Sequence, residues 1–298
     1  MNDTSSNLAP AATRAHRLRA RVKSMPVFAL LIVAVVVLIS IGADLITQTV
    51  IPKPEAIDLR FRYTPPWPMD GSSATHLLGT DQLGRDLLSR MIKGAQTSLL
   101  VALTCIFIAA SAGTLLGLIS GYWGGWVDTA IMRLVDAMLA FPAILVALVL
   151  VVTVGASFGM IVFTIAFLMW APFARVVRGE VLSVKERNFV ALSRIAGASA
   201  PRVLFFEILP NIINTVVVMA TLQVGSAIVV ESSLSFLGAG IPPPEPTWGN
   251  LVAEGRNVMD SAWWVSTFPG IAILLVVLSF NLLGDWLRDT LDPNLRTL

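Results

Sequence analysis

Few residues of this sequence have the types and spacing that catalysis requires. The two histidines are His16 and His76, with a long apolar segment between them, and the single cysteine is Cys105. Residues 155–159 fit the G-x-S-x-G string of serine hydrolases, but that motif needs a strand-to-helix elbow and a His/Asp relay. Here the string separates two apolar segments. We therefore predict no catalytic residue, no metal site and no cofactor, and a single cysteine excludes an internal disulfide.

The composition is that of a membrane protein. Charged residues make up 13% of the 298 residues, and the set AVILMFWYC reaches 55%. An ordinary soluble domain has roughly 25% charged residues. A soluble fold of this length still exposes about a quarter of its unfolded-chain surface, which is too much to cover with so few polar side chains. The composition therefore excludes a soluble enzyme, a disordered chain and a nucleic-acid binder.

The positions of the charges predict the spans. Five stretches contain no Asp, Glu, Lys or Arg, namely 24–43, 94–127, 137–174, 208–230 and 261–284. A spanning helix needs about 20 mostly apolar residues, and a charge at the bilayer centre is costly. The small residues at 155–159 divide the longest stretch into two segments. We therefore predict an all-helical membrane protein with six transmembrane helices, at 26–48, 97–121, 129–154, 160–177, 212–230 and 263–284.

The distribution of Lys and Arg predicts the orientation of these spans. With the N-terminus inside, the internal segments carry 13 basic residues and the external segments carry 7, which favours cytoplasmic tails at 1–25 and 285–298. A cleaved signal peptide at the N-terminus is the alternative. The first apolar run has 20 uncharged residues, however, and a signal peptide has an apolar region of about 7–15 residues.

Two external loops follow from this orientation, at 49–96 and 231–262. In the first, Thr80 is placed to cap a helix whose apolar residues recur at helical spacing, which predicts an interfacial helix at 80–93. This helix is a simple membrane anchor or, alternatively, a gate or docking element. Inside or beside the spans, five residues are candidates for polar contacts: Asp44, Arg133, Asp136, Gln223 and Glu231. Arg133 and Asp136 are spaced to neutralise one another on one helical face.

A stripe of small residues runs along the second span. It consists of Cys105, Ala109, Gly113, Gly117 and Gly121, at every fourth position. Small residues let another helix approach closely in a membrane, so we predict helix packing here. Pro142 and Pro172 are expected to kink their spans.

The cytoplasmic loop at 179–211 has an unusual pattern. Two short amphipathic helices are predicted to meet at a Gly/Ser/Pro corner at 197–201, where Ser199 caps the second helix. Their apolar stripes contain Phe189, Leu192, Ile195 and Ala196 in the first helix and Val203, Leu204, Phe206 and Leu209 in the second. Counted together with Arg175 and Arg178, which precede it, the loop carries a net charge of +3. Such an elbow is suited to sit in a groove of another protein.

This loop resembles the coupling loop of ABC-importer permeases. That pattern is Glu-Ala-Ala, then three residues, a Gly, and later a Leu-Pro ending. Gly197 and Leu209-Pro210 are separated as this pattern requires. From about residue 26 to residue 296 the chain resembles the second permease subunit of dipeptide/oligopeptide/nickel importers. The matching strings are HLLGTDQLGRD at 76–86, GYWGGWVD at 121–128, LSFLG at 234–238, PPEPTWG at 243–249 and FNLLGDWLRDTLDP at 280–293.

The resemblance implies a type I ABC-importer permease of the bacterial inner membrane, with a core domain at 97–284. Its partners would be a homologous second permease, two cytoplasmic ATPases that hydrolyse the ATP, an external solute-binding protein and the lipid bilayer. The residues implied in ATPase coupling are Phe189, Ala191, Leu192, Ser193, Gly197, Ala198, Phe206, Leu209 and Pro210. We predict that Gly197→Asp abolishes uptake and leaves membrane insertion intact.

One position departs from the family's pattern. The Glu-Ala-Ala triplet aligns with Ala191-Leu192-Ser193, so its acidic member is absent. Glu186 and Arg187 are the candidates to supply a polar contact to the ATPase in its place.

The cargo stays open at this level. Peptides are the family's commonest cargo, and glutathione, nickel chelates, opines and sugars are the alternatives. A gradient-driven carrier is a further alternative, but it should show inverted repeats and charged or broken helices at mid-membrane.

Overall fold

The computed structural model describes residues 26–49 and 51–291. The basic tail expected at 1–25 and the last residues, 292–298, lie outside the described residues. Within them the chain is helical, with one isolated bridge between Thr80 and Asp86 and short 3-10 turns at Leu59–Phe61 and Arg256–Val258. The helices are α1 Val27–Thr49, α2 Leu87–Trp123, α3 Gly125–Ala140, α4 Ala143–Val154, α5 Phe158–Val184, α6 Asn188–Ile195, α7 Ala200–Phe236, α8 Trp248–Gly255 and α9 Trp264–Leu291.

Five helices of the described ranges are long and apolar enough to cross a membrane: α1, α2, α5, α7 and α9. The pair α3 and α4 passes the same test together, which raises the number to six if the pair is one span. The predicted all-helical membrane architecture is therefore confirmed. Both α2 and α7 contain 37 residues, which corresponds to about 55 Å of helix. They extend beyond a hydrocarbon core of roughly 30 Å.

The separate interfacial helix predicted at 80–93 is wrong. Helix α2 begins at Leu87, capped by the Asp86 carboxylate, which accepts a hydrogen bond of 2.8 Å from the N–H of Ser89. Residues 80–86 are not helical, and Gly84 among them has a φ of +70°, which a right-handed helix excludes. The residues after 86 are instead the first turns of the second span.

Thr80 has a different role from the predicted cap. Its hydroxyl accepts a hydrogen bond of 2.9 Å from the N–H of Thr64 and donates to the carbonyl of Phe61. Thr80 therefore holds the preceding loop together.

The third predicted span, 129–154, is two helices and not one. Helices α3 and α4 meet at an angle of 87°. Pro142 lies at the break, where it lacks an N–H and clashes with a helical backbone before it, and Phe141 is accordingly extended. The bend expected at Pro142 is therefore present. Pro172, in contrast, lies inside α5, which continues through it.

Helices α2 and α5 are in close contact through glycines of α2. A Cβ placed on Gly113 would lie 2.5 Å from the Cβ of Phe173, and one on Gly121 would lie 2.7 Å from the Cβ of Val181. Because the contacts advance along both helices together, α2 and α5 run parallel. The chain must therefore return from one end of the bundle to the other between them, and α3 and α4 are the only residues available for this return.

Helices α7 and α9 run antiparallel. A Cβ on Gly225 of α7 would lie 3.4 Å from Val277 of α9, whereas one on Gly284 would lie 2.4 Å from Leu222. The bundle thus has two ends. The loop end carries residues 51–86 and α8, and the elbow end carries α6.

Candidate functional site

The elbow, residues 185–208, consists of α6, a tight turn and the first turns of α7. Helix α6 ends in a Schellman turn, in which the N–H of Ala198 donates to the carbonyl of Ser193 at 3.1 Å and the N–H of Gly197 donates to the carbonyl of Arg194 at 3.0 Å. Gly197 has a φ of +83°, a left-handed conformation that glycine adopts without a steric cost. The predicted corner therefore turns at Gly197.

The second arm of the elbow is not a separate short helix. Helix α7 begins at Ala200 and continues through the whole span, with a π-helical stretch at Val203–Ile208. Ser199 occupies the cap position as predicted, but its side chain makes no capping hydrogen bond. The second arm of the elbow is thus continuous with the span.

A small hydrophobic core lies beneath the elbow. Val190 of α6 and Val203 and Ile208 of α7 are fully buried, and they pack in one cluster with Leu118 of α2 and Val181 of α5. Protein interiors are close-packed and transmit strain. The elbow is therefore coupled mechanically to the ends of three long helices.

The opposite face of the elbow exposes large apolar side chains. Leu192 is 65% exposed, Ile195 is 83% exposed and Phe206 is 75% exposed. Leu192 and Ile195 lie about half a turn away from buried Val190, so they share the outer face of α6. Fully burying one such side chain stabilises a complex by roughly 1.5–3 kcal/mol. This face is suited to bind another protein.

The other residues implied in coupling differ in exposure. Phe189, Ser193, Ala198 and Leu209 are half-buried, and Ala191, Gly197 and Pro210 are exposed. The structure thus places Leu192 and Phe206 outward, while Phe189 and Leu209 pack against the small core. Within the apolar stripe predicted for the second arm, Val203 and Leu204 face inward and Phe206 faces outward.

Polar contacts connect the elbow to α2. The ammonium of Lys185 donates to the carbonyl of Gly121 at 2.8 Å. The guanidinium of Arg194 lies 4.8 Å from the ring centroid of Tyr122, within cation–π range.

Helix α3 is held to α5 by two ion pairs near the elbow. Arg178 donates to both carboxylate oxygens of Asp128, at 2.5 and 2.6 Å. One turn of α5 away, Arg175 pairs with Asp136. The partner of Asp136 is thus Arg175 on another helix, and not its sequence neighbour Arg133.

The sequence matches a known family over most of its length. Residues 113–297 match the family described as the binding-protein-dependent transport system inner membrane component. This chain belongs to that family. Its members are transport permeases and not enzymes.

Three relatives illustrate the similarity of this permease. The di/tripeptide transport system permease protein of Pseudomonas aeruginosa is 44% identical over 236 residues, which are 79% of this chain and 78% of the relative. The dipeptide transport system permease protein of Alkalihalophilus pseudofirmus is 42% identical over 229 residues, 77% of this chain and 75% of the relative. The glutathione transport system permease protein of Pectobacterium atrosepticum is 42% identical over 228 residues, 76% of each.

At its loop end the permease has a cluster of four charges, two of them buried, which the sequence reasoning missed. Arg90 donates to Asp81 at 2.6 Å and to Glu254 of α8 at 2.9 Å, and Arg85 reaches the same two carboxylates at 2.7 and 3.2 Å. Asp81 and Arg90 are buried. The balance of acids and bases at 81–90 indicated ion pairs within this segment. Glu254 of α8, however, lies too far along the chain to be identified as a partner from sequence spacing.

Glu231, like Asp81, is an acid that is fully buried among the described residues. Its carboxylate accepts a hydrogen bond of 2.9 Å from Ser235 and lies 3.5 Å from the hydroxyl of Ser98, which in turn accepts the N–H of Trp248 at 3.2 Å. Glu231 therefore connects α7, α2 and α8. The predicted polar contact of Asp44 is an ion pair of 2.6 Å with Lys93.

The residues that resembled catalytic groups have structural roles in this permease. The hydroxyl of Ser157 accepts the N–H of Met160 at 3.1 Å and caps α5. The Nδ1 atom of His76 lies 2.9 Å from Asp86, the residue that caps α2. His76 and Ser157 are both engaged in holding helix ends.

Proposed function

We propose that this permease is a transmembrane subunit of an ATP-driven importer for peptides or related small solutes. It forms half of the translocation path and couples to cytoplasmic ATPase subunits. The observation that carries this proposal is the elbow, which exposes Leu192, Ile195 and Phe206 on one side and packs into α2, α5 and α7 on the other.

The coupling follows from this packing. When nucleotide binding brings the two ATPase subunits together, the groove that holds the outer face of the elbow moves with them. Val190 and Val203 press on Leu118 and Val181, and α7 is continuous from the elbow into the span. Movement of the elbow therefore changes the positions of three helices at once, which alternates the access of the path.

The proposed topology has six spans and both termini in the cytoplasm of a bacterium, with the permease in the inner membrane. The parallel arrangement of α2 and α5 supports it, because α3 and α4 must then cross together as the bent third span. The elbow end faces the cytoplasm, and the loop end faces outward with the solute-binding protein. A homologous second permease and lipid cover the exposed apolar faces of the spans.

Two cargo classes are supported by the names of the relatives. Di- and tripeptides are named for the Pseudomonas aeruginosa relative and glutathione for the Pectobacterium atrosepticum relative. Glutathione is itself a tripeptide analogue, so one path would suit both.

Reconstitution tests the proposal. The permease is placed in proteoliposomes with the proposed second permease, ATPases and binding protein, and uptake of labelled dipeptide and of labelled glutathione is measured with and without internal ATP. We expect uptake of at least one cargo only with ATP. Uptake driven by an ion gradient without ATP would contradict the proposal.

The role of the elbow is tested in the same assay. The double variant Leu192→Asp/Ile195→Asp places two charges on the apolar outer face of α6. It should abolish uptake and release the ATPases from the permease. Ser183→Asp introduces a charge at an exposed position at the end of α5, outside the elbow, and should have little effect.

A further inference from the structure

The elbow carries an unbalanced positive charge. Between residues 185 and 208 it has four bases, Lys185, Arg187, Arg194 and Arg202, and two acids, Glu186 and Glu207. Lys185 is occupied by the carbonyl of Gly121. The three arginines are exposed, and they lie before α6, in its last turn and in the first turn of α7.

These three arginines have no carboxylate within 4 Å among the residues that the structure describes. Other arginines of the described residues do have carboxylate partners, such as Arg90 with Asp81 and Arg178 with Asp128. Arg194 lies over Tyr122, a contact that orients the guanidinium and leaves its charge uncompensated. The basic groups thus surround the exposed apolar residues of α6 without internal partners.

Helix α6 itself contains no acid. Residue 191, where the family's pattern has Glu, is an exposed alanine. A docking groove with basic residues would therefore meet an excess of positive charge at this elbow, and like charges across an interface weaken association.

We propose that the ATPase groove that receives the elbow has an apolar floor and an acidic rim. The floor contacts Leu192 and Ile195, and carboxylates of the rim pair with Arg187, Arg194 and Arg202. This inference rests on the proposed function, because it names the chemistry of the partner at the same surface. Guanidinium groups suit this role because they pair with carboxylates through two parallel hydrogen bonds.

The test measures the affinity of the proposed ATPase partners for the complex of the two permeases. The complex is held in nanodiscs of phosphatidylcholine, which has no net charge, so that anionic lipid cannot substitute for the rim. The variants are a charge-reversed triple, Arg187→Glu/Arg194→Glu/Arg202→Glu, and a conservative triple with Lys at the same positions. Arg256→Glu is the matched control, because Arg256 is exposed at the loop end and also lies over an aromatic ring, that of Phe236, at 5.1 Å.

An exposed ion pair contributes about 0.2–1 kcal/mol, so three pairs replaced by repulsion should weaken binding at least tenfold. We expect that loss for the Glu triple, a smaller loss for the Lys triple, which keeps the charge but not the bidentate geometry, and none for Arg256→Glu. Binding of the unaltered complex should also weaken as salt rises, because screening acts on exposed charges.

Full affinity of the Glu triple, or binding that salt does not change, would overturn the acidic rim. If the ATPases also bind Leu192→Asp/Ile195→Asp normally, the elbow is not the docking site and the proposed function fails as well. If the melting temperature shows that the Glu triple is unfolded, the single variant Arg202→Glu and the salt titration replace it. Weaker binding in either measurement supports the acidic rim, and unchanged binding in both overturns it.

Discussion

Gly197 is the residue on which the shape of the elbow depends. Its φ of +83° excludes most side chains on conformational grounds, although an added Cβ would meet nothing within 4 Å. A substitution at Gly197 therefore destabilises the turn by straining its backbone, and not by a steric clash of the new side chain with its neighbours. The sequence motif located this residue, but only the structure shows why glycine is required.

Replacement of Gly197 by Ala should cost about 1–2 kcal/mol at the turn and reduce uptake several-fold, with normal amounts of protein in the membrane. Gly197→Asp should reduce uptake further, because it adds a charge beside the apolar face. Gly179→Ala is the control, since Gly179 lies in α5 with open space around it and without a left-handed backbone. Equal uptake by Gly197→Ala and Gly179→Ala would contradict the role of the turn.

Gly117 is constrained by packing and not by its backbone. It has no positive φ, but neighbouring atoms of α5 leave no space for a side chain. A Cβ there would lie 2.7 Å from the carbonyl oxygen of Ala174 and 2.8 Å from the Cβ of Val177. Gly117→Val should force α2 and α5 apart at a cost of about 1–3 kcal/mol or more. A lower melting temperature in detergent would show this, and Ala112→Val, at an exposed position on α2, should melt like the unaltered protein.

At the scale of elements, the charge cluster at the loop end fastens α8 to the start of α2. Arg90→Met would leave Asp81 and Glu254 with one base between them in a buried site. Removing one partner of a buried pair costs about 3–5 kcal/mol, so the melting temperature should fall clearly. Arg60→Met removes an exposed ion pair with Asp58 and should leave the melting temperature unchanged. A similar melting temperature for both variants would show that the cluster does not stabilise the fold.

The elements also show where sequence patterns stop being sufficient. Apolar spacing correctly predicted helical residues after Leu87, but the start of α2 depends on the backbone at Gly79 and Gly84. Likewise, Pro142 indicated a kink, while its angle of 87° depends on how α3 and α4 pack and on the Asp136–Arg175 pair between α3 and α5.

At the scale of the whole molecule, the parallel arrangement of α2 and α5 leads to a test of topology. Cysteines at Ala74 and Ser199, both exposed, are treated with a membrane-impermeant thiol reagent in intact cells. With six spans, Ala74→Cys should react and Ser199→Cys should react only after permeabilisation. If α3 and α4 did not cross, the elbow would lie outside and Ser199→Cys would react in intact cells. The unaltered protein is the control, because Cys105 is fully buried.

The sequence by itself determined the class and family of this protein. Long runs without charges require apolar surroundings, which predicts the spanning helices. The strings shared with importer permeases are contiguous in the sequence, so they can be recognised without the structure. The glycine stripe and the corner at Gly197 are also local patterns of this kind.

Only the tertiary structure decided which residues meet. The pairs Asp81–Arg90–Glu254 and Asp136–Arg175 join residues far apart in the chain, and hydrophobic periodicity carries no information about such partners. The same holds for the elbow, where Val203 packs inward and Phe206 faces outward. That division depends on the contacts of α7 with α2 and α5, and it is what leaves an apolar face with a basic border available to a partner.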